Sequence, residues 1–234
     1  MAYLEGKNLV ASYGVVPILH ECSVEVEKGE LAVIVGPNGA GKSTVMRVLL
    51  GMLEATEGSV TLDGKDISML STQDRISKGL AFVPQTKNVF PSMTVEENLQ
   101  MGGFIREDDI SKTIEEVYEL FPILYEKRKQ LAEELSGGQR QQVAFGRAMM
   151  TRPSVMLLDE PTAGVSPIVM DEIFSNILDV RNAGMAVLMV EQNAQQALNI
   201  ADKGFVLVSG RNEHTGTGKE LINDPEVRKK FLGG

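Results

Sequence analysis

One segment restricts the possible folds of this chain more than any other, the eight residues GPNGAGKS at 36–43. They match the pattern G-x-x-x-x-G-K-S/T, which binds phosphate when it follows a strand and begins a helix. The apolar run LAVIV at Leu31–Val35 comes directly before it and predicts a buried parallel strand. Residues 43–51 predict a helix that ends at Gly51. The segment therefore predicts an α/β core with a phosphate site at the end of a strand.

The residue types in this loop fit anion binding. Glycines permit a backbone in which successive N–H groups point inward, and the N-terminus of the following helix adds partial positive charge. Lys42 would supply a full charge to the β- and γ-phosphates, and Ser43 would be a ligand of Mg²⁺. A plain glycine turn is the alternative. The predicted nucleotide-binding residues are Gly36, Asn38, Gly39, Ala40, Gly41, Lys42, Ser43 and Thr44.

A second apolar run, VMLL at 155–158, is followed by Asp159 and Glu160. Ligands of α/β proteins bind at the carboxyl ends of parallel strands, so both carboxylates are expected near the phosphates. Asp159 would hold Mg²⁺, usually through water, and Glu160 would orient or deprotonate an attacking water. Strands often end in acidic residues, so this run indicates a nucleotide site only in combination with the glycine-rich loop. Together the two segments predict a nucleoside triphosphatase.

A third segment, LSGGQ at 135–139, predicts another helix start that suits phosphate. Ser136 is a good N-cap, and Gly137 and Gly138, followed by Gln139, let the backbone approach an anion closely. A second nucleotide in the same chain is one interpretation. The favoured one is that this surface completes the site of another subunit. Standing alone, the segment would be an ordinary loop.

The middle of the chain differs from its two ends. Strands and helices alternate over 155–208, which is typical of an α/β protein with a largely parallel sheet. Between about 85 and 150 the pattern is mostly helical. We predict one domain over 1–234, in which 1–84 and 151–234 form the nucleotide-binding core with an N-terminal antiparallel β subdomain, and 85–150 form an inserted helical subdomain.

The individual elements follow from hydrophobic periodicity and from helix signals, including a capping box at 94–97. The predicted strands are 3–12, 23–27, 31–35, 59–62, 80–83, 155–158, 186–190 and 204–208. The predicted helices are 43–51, the one that begins at 94, 110–124, 136–150, 167–182, 193–201 and 224–231.

Charge and composition exclude some classes of protein. Lys and Arg number 23 against 32 Asp and Glu, a net charge of −9, which argues against nucleic acid as a partner. No apolar run approaches the roughly 20 residues that span a bilayer, and the first residues do not resemble a signal peptide, so a cytoplasmic location is expected. The single cysteine, Cys22, is expected in the core.

The order of these segments resembles the ATP-binding subunits of ABC transporters along nearly the whole chain. The matching positions are Tyr13, the loop at 36–43, Gln85, the segment at 135–139 and the pair at 159–160. The resemblance implies a P-loop NTPase core of the RecA-like kind. It also implies that two subunits pack head to tail and hold ATP with Mg²⁺ between one subunit's loop and the other's Ser-Gly-Gly segment.

The resemblance also implies roles for single residues. Glu160 matches the catalytic carboxylate, and Gln85 matches the residue that touches Mg²⁺ and water and reports to the membrane subunits. Tyr13 would stack on adenine, with a half-buried tyrosine at a strand end as the alternative. Val89 and Phe90 follow Gln85 where the family docks a permease helix, and simple packing is equally open for them.

Two positions depart from the family pattern. Gln192 stands at the switch position, where a histidine is usual, and its amide can donate a hydrogen bond to the γ-phosphate but cannot be protonated. Ser166 stands before Pro167, where an aspartate is usual. Both departures question a symmetric homodimer and favour pairing with a different ATPase subunit.

Further details resemble the second ATPase subunit of branched-chain amino acid importers, namely EQNA at 191–194 and RKKFLGG at 228–234. The resemblance implies integral-membrane permease subunits, a second ATPase subunit and, indirectly, an extracytoplasmic solute-binding protein as partners, on the cytoplasmic face of the membrane. Urea or amide importers are an alternative. The rivals are a non-transport ABC ATPase of cell-envelope or division machinery and a DNA-repair or translation ATPase, which the acidic charge disfavours.

Overall fold

The structure is a computed structural model that describes residues 2–231, and within them the strands form two sheets. The strands are β1 (Leu4–Tyr13), β2 (Val16–Val26), β3 (Leu31–Val35), β4 (Glu57–Leu62), β5 (Lys65–Asp66), β6 (Leu80–Val83), β7 (Val155–Asp159), β8 (Ala186–Val190), β9 (Lys203–Val208) and β10 (Arg211–Gly216). The helices are α1 (Lys42–Leu49), α2 (Thr72–Ser77), α3 (Val95–Gly102), α4 (Ser111–Leu120), α5 (Pro122–Glu126), α6 (Gly137–Met149), α7 (Pro167–Asn182), α8 (Ala194–Ile200), α9 (Gly218–Asn223) and α10 (Pro225–Phe231).

The larger sheet has the strand order β10-β9-β3-β8-β7-β6. Its neighbouring strands are parallel except for β10, which pairs antiparallel with β9 at one edge. The smaller sheet has the order β2-β1-β4-β5 and is antiparallel. These two sheets confirm the predicted α/β class, with a mostly parallel sheet and an antiparallel β subdomain.

The apolar run of β3 explains why this strand lies at the centre of the core. Leu31, Val33 and Val35 face one hydrophobic cluster, which they share with α3, α6 and α7. Ala32 and Ile34 face a second cluster, which contains α1 and the smaller sheet. Because successive side chains of a strand point to opposite faces, a continuous apolar run fits a strand that is covered on both sides.

Some predicted elements were wrong in extent. The single helix expected over 110–124 is two helices, α4 and α5, which separate at Phe121 because Pro122 starts a new first turn. The strand expected at 23–27 is the end of the longer β2. β10, α2 and α9 were not predicted.

The helices α3 to α6 lie between β6 and β7 in the chain, so the predicted insertion is helical. The subdomain boundaries at 85 and 150 remain a prediction. Residues 232–234, which contributed to the importer resemblance, lie outside the described residues. No helix in the described part of the chain is both long and apolar enough to cross a membrane.

The parallel strands direct the predicted site residues to one edge of the larger sheet. The carboxyl end of β3 leads into the glycine-rich loop, and that of β7 carries Asp159 and Glu160. The ends of β6 and β8 lead to Gln85 and Gln192. An edge formed by the carboxyl ends of parallel strands is where α/β folds bind ligands.

Candidate functional site

The loop between β3 and α1 has a backbone that glycine alone accommodates at two positions. Gly36 has φ 150°, and a Cβ there would lie 2.1 Å from the Leu207 carbonyl oxygen. Gly41 has φ 100°, and a Cβ there would lie 2.9 Å from a Leu19 methyl group. A larger residue at either position would push the loop away from its neighbours. The loop is therefore packed closely against the Leu207 backbone of β9 and the Leu19 side chain of β2.

Lys42 is buried inside this loop. Its Nζ donates hydrogen bonds to the carbonyl oxygens of Gly36 at 2.9 Å and Pro37 at 3.2 Å. Burial lowers the pKa of Lys42, and the nearby carboxylates of Glu160 and Asp159 oppose this effect. The ammonium group is thus enclosed by the loop that the sequence predicts to bind phosphate.

The first turn of α1 is suited to an anion. Its N-cap, Gly41, offers no side-chain hydrogen bond, and the turn contains no acidic residue. The first amides of a helix have no intrahelical acceptors and carry partial positive charge. Ser43 is exposed in this turn, whereas Thr44 is buried. The remaining predicted loop residues precede this helix, with Asn38 and Gly39 exposed and Ala40 buried.

Asp159 meets the requirements of a magnesium ligand. Its Oδ1 atom is buried and has no hydrogen-bond partner among residues 2–231. Burial and the neighbouring Glu160 raise the pKa of Asp159, and Arg47, Lys42 and a hydrogen bond from Ser43 partly offset the rise. An unpartnered carboxylate oxygen beside a serine hydroxyl is the hard oxygen donor set that Mg²⁺ prefers. The residues present therefore fit the ion.

Glu160 adopts a strained backbone and faces Gln85. Its φ is 44°, in the left-handed region that non-glycine residues rarely adopt, and its amide donates to the Val190 carbonyl at 2.9 Å. Gln85 Nε2 donates to Glu160 Oε2 at 3.1 Å. The structure thus brings together the carboxylate and the amide that the sequence singled out, from the ends of β7 and β6.

Glu191 is a buried carboxylate that the sequence reasoning missed. It accepts hydrogen bonds from the amide of Thr162 at 3.0 Å, from the Thr162 hydroxyl at 2.8 Å and from the amide of Gln192 at 3.1 Å. Burial raises its pKa, and these hydrogen bonds oppose the rise. Glu191 therefore fixes the segment after Glu160 to the segment that carries Gln192. A glutamate directly after a buried strand was the available signal.

Gln192 lies beside the glycine-rich loop and is exposed. Together with Gly36, Pro37 and Asn38 it lines a cavity of about 290 Å³, and Lys230 of α10 lines another side. The switch position predicted from the sequence is therefore adjacent to the predicted phosphate loop.

Tyr13 contacts α1, the helix that follows the phosphate loop. It ends β1, is 43% exposed, and its hydroxyl accepts a hydrogen bond from Arg47 of α1 at 3.0 Å. The Arg47 guanidinium lies 5.9 Å from the centre of the ring. An exposed aromatic ring in this position suits stacking on a base.

The Ser136 turn is a separate part of the surface. Ser136 is the N-cap of α6, and its Oγ accepts from the Gln139 amide at 3.2 Å, while Gln139 Oε1 accepts from the Ser136 amide at 3.2 Å. Ser136 is exposed, Gly137 is partly exposed and Gly138 is buried. No hydrogen bond within residues 2–231 joins this turn to the loop at 36–44. Ser166 caps α7 without a side-chain hydrogen bond.

Comparison with known families gives one match that covers more than half of the chain. The family model described as ABC transporter matches residues 19–163. The branched-chain amino acid transport ATP-binding protein BraG of Pseudomonas aeruginosa is 45% identical, over 95% of this chain and 96% of that protein. LivF of Archaeoglobus fulgidus, described as a probable protein of the same kind, is 38% identical over 97% of each chain.

A relative with a different described role also matches. The lipopolysaccharide export system ATP-binding protein LptB of Haemophilus influenzae is 35% identical, over 100% of this chain and 98% of that protein. Among solved structures, the ADP conformation of an ATP-binding cassette of an ABC transporter superposes with a TM-score of 0.90 at 32% identity, and each chain is covered completely.

Proposed function

The chain belongs to the ABC transporter family, and on that basis we propose that it binds and hydrolyses ATP to power a membrane transporter. The observation that carries the proposal is the meeting of Lys42, Asp159 and the Gln85–Glu160 pair at one edge of the larger sheet. Cation, metal ligand and base candidate lie together where the fold binds phosphates.

The proposed reaction is in-line attack of water on the γ-phosphorus of ATP. A bond forms between the water oxygen and phosphorus as the bond from phosphorus to the bridging oxygen of ADP breaks. Glu160 accepts the proton of the water, and Gln85 holds the Glu160 carboxylate in position through its amide. Lys42 and the first turn of α1 bind the β- and γ-phosphates. The products are ADP and phosphate.

Ser43, Asp159 and Gln85 are the proposed residues for Mg²⁺, and Ser43 lowers the pKa of the neighbouring Asp159. When bound, Mg²⁺ would neutralise charge on the phosphate oxygens. The buried, unpartnered Oδ1 of Asp159 supports this assignment.

We further propose that a second ATPase subunit completes the site. The turn at Ser136 combines an exposed hydroxyl with glycine amides, and it makes no hydrogen bond to the chain's own phosphate loop within residues 2–231. A phosphate held by the facing subunit's loop would bind to this turn. In the same way, the facing subunit's turn would bind the phosphate held by this chain's loop. Gln192 and Ser166 support an unlike facing subunit, and a second copy of this chain is the simpler pairing to test.

Permease subunits are the proposed membrane partners. A groove of about 300 Å³ runs between the core and the helical segment, and its walls include Met52, Phe82, Met101 and Arg147. The Arg147 guanidinium also lies 4.3 Å from the centre of the Phe90 ring. Phe90 belongs to the segment after Gln85 and is 37% exposed. A short apolar helix of a permease fits such a groove, and it would hold the chain at the cytoplasmic face of the membrane.

Branched-chain amino acids are the proposed solutes, supported by the identity to BraG and LivF along nearly the whole chain. An extracytoplasmic solute-binding protein would then act indirectly, through the permeases. Lipopolysaccharide export is the second candidate, because LptB is also similar over the full length. Solute-dependent stimulation of ATP hydrolysis in the reconstituted transporter, with leucine against urea, would separate the importer candidates.

The test of the hydrolysis mechanism is Glu160→Gln, with Glu119→Gln as the matched control, because Glu119 is exposed on α4. We expect ATP binding to be retained and turnover to fall by about 10²–10⁴, the usual contribution of a general base. Nucleotide affinity and phosphate release would be measured on the same preparations. Turnover near that of the wild type would show that Glu160 is not the base.

A further inference from the structure

Glu172 of α7 lies directly against the first turn of α6. A Cβ added to Gly138 would be 2.4 Å from Glu172 Oε2 and 2.9 Å from Oε1. The carboxylate therefore occupies the space beside the Gly138 Cα that any side chain would need. Gly138 is buried, whereas Glu172 is exposed. The contact therefore places the Glu172 carboxylate of the same protomer beside the first turn of α6.

The carboxylate adds a negative charge to the positive end of a helix. The first turn of α6 contains no acidic residue of its own. The backbone amides of Ser136 and Gln139 each donate a hydrogen bond to the other residue's side chain. The amides of Gly137 and Gly138 lie between them in the first turn, where a helix offers no acceptor. None of the ion pairs within residues 2–231 includes Glu172. Its charge therefore acts on this turn without an ion-pair partner in the described part of the chain.

We propose that Glu172 is an anionic gate of a site shared by two copies of this chain, an inference that rests on the proposed pairing of ATPase subunits and takes its simpler form, the self-pairing. A phosphate arriving from the facing subunit must approach the turn that already has the Glu172 charge beside it. Two anions then compete for one helix N-terminus, so Glu172 opposes closure. The gate sets how much ATP-binding energy is needed to bring the subunits together and favours their separation once the γ-phosphate has left.

The test adds Glu172→Gln to the Glu160→Gln variant, in which bound ATP persists. Asp171→Asn in the same background is the control, because Asp171 is an exposed acid of the same helix one residue away. ATP-dependent self-association would be measured by sedimentation at several protein concentrations. Removal of one charge from a helix N-terminus predicts association roughly two- to fivefold tighter for Glu172→Gln, and no such change for Asp171→Asn.

Salt dependence separates charge repulsion from a packing effect. Repulsion between exposed charges is screened, so the advantage of Glu172→Gln should shrink between 0.05 and 0.5 M salt, about a threefold change in Debye length. Glu172→Lys should associate more tightly still. ATP affinity of the unpaired chain should stay unchanged in all variants, because the gate faces the neighbour's nucleotide.

The outcomes distinguish this inference from the pairing on which it rests. If Glu160→Gln self-associates with ATP but Glu172→Gln equals Asp171→Asn, the gate is wrong and the pairing stands. An advantage that persists in high salt, or weaker association of Glu172→Lys than of Glu172→Gln, also overturns the gate. If no variant associates with ATP, two copies of this chain do not form the site, and the gate falls with them.

Discussion

Gln192 is one of the two predicted departures from the family pattern, and its position gives that prediction a testable consequence. It is exposed beside Gly36 and Asn38, within reach of a cavity that an anion could enter. Its amide can donate a hydrogen bond to a phosphate oxygen, but it cannot act as an acid or base at neutral pH. Its contribution is therefore limited to the energy of such a hydrogen bond.

We expect Gln192→Ala to lower kcat/KM by about tenfold, the value of a hydrogen bond of about 1.5 kcal/mol to a charged group. This loss is smaller than that expected for Glu160→Gln. The backbone amide that binds Glu191 remains in the variant, so the segment should keep its position. Steady-state hydrolysis would be compared with that of Gln195→Ala, an exposed glutamine outside the cavity. A greater loss than for Glu160→Gln would contradict the secondary role of Gln192.

The residues of the candidate site that could be predicted from the sequence are those within contiguous segments. Lys42 and Asp159 were identified because each follows a recognisable apolar run, and the structure places them near each other. Glu191 and Glu172 were not identified. The role of Glu191 depends on its hydrogen bonds with Thr162, 29 residues away in the sequence. The role of Glu172 depends on the packing of α7 against α6. Both contacts are long-range. The one local signal, a glutamate directly after the buried strand β8, marks Glu191 but does not reveal its partner Thr162.

At the scale of secondary structure, continuous or amphipathic apolar patterns were sufficient and polar segments were not. β3, β6, β8 and α7 match their predicted limits because each has a clear apolar run or stripe with end signals. β10 has the sequence RNEHTG and forms only because β9 offers it an edge. α2 has the sequence TQDRIS, which has no apolar face, so tertiary contacts must stabilise it.

Arg75 supplies those contacts for α2. It is 3% exposed, and its guanidinium donates hydrogen bonds to four carbonyl oxygens, those of Val48, Leu49, Ser68 and Leu70, at 2.6–3.1 Å. Two of these carbonyls lie at the C-terminal end of α1, where a helix has unsatisfied acceptors. Arg75 therefore ties the end of the phosphate-loop helix to α2.

We expect Arg75→Met to lower the free energy of unfolding by about 3 kcal/mol, because buried carbonyls lose their donors. Lys78→Met, which removes an exposed charge at the end of the same helix, is the control and should change it by less than about 0.5 kcal/mol. Urea unfolding followed by circular dichroism would measure both. Equal stability of the two variants would show that the Arg75 hydrogen bonds contribute nothing net.

At the scale of the whole molecule, the nucleotide edge and the groove lie on either side of Gln85. Pro84 and Lys87 line the groove, and Gln85 between them donates to Glu160. The chain from β6 into α3 therefore connects the reaction site to the surface proposed for the permease. A partner seated in the groove would touch this segment, and nucleotide-dependent movement of Gln85 would reach the partner through a few residues.

The groove gives the last prediction, which concerns Met101→Lys. Met101 is 39% exposed on the wall formed by α3, near Arg147, so a lysine would add a second cation to a surface expected to receive an apolar helix. We expect association with the permease subunits to weaken by about tenfold or more, while ATP hydrolysis by the isolated chain stays within about twofold. Met69→Lys is the control, because Met69 is 85% exposed outside the groove.

Copurification with the permeases and solute-stimulated hydrolysis would be measured for both variants. Equal retention of the permeases by the two variants would place their binding surface elsewhere on the chain, and loss of basal hydrolysis in Met101→Lys alone would point to damage in the helical segment instead.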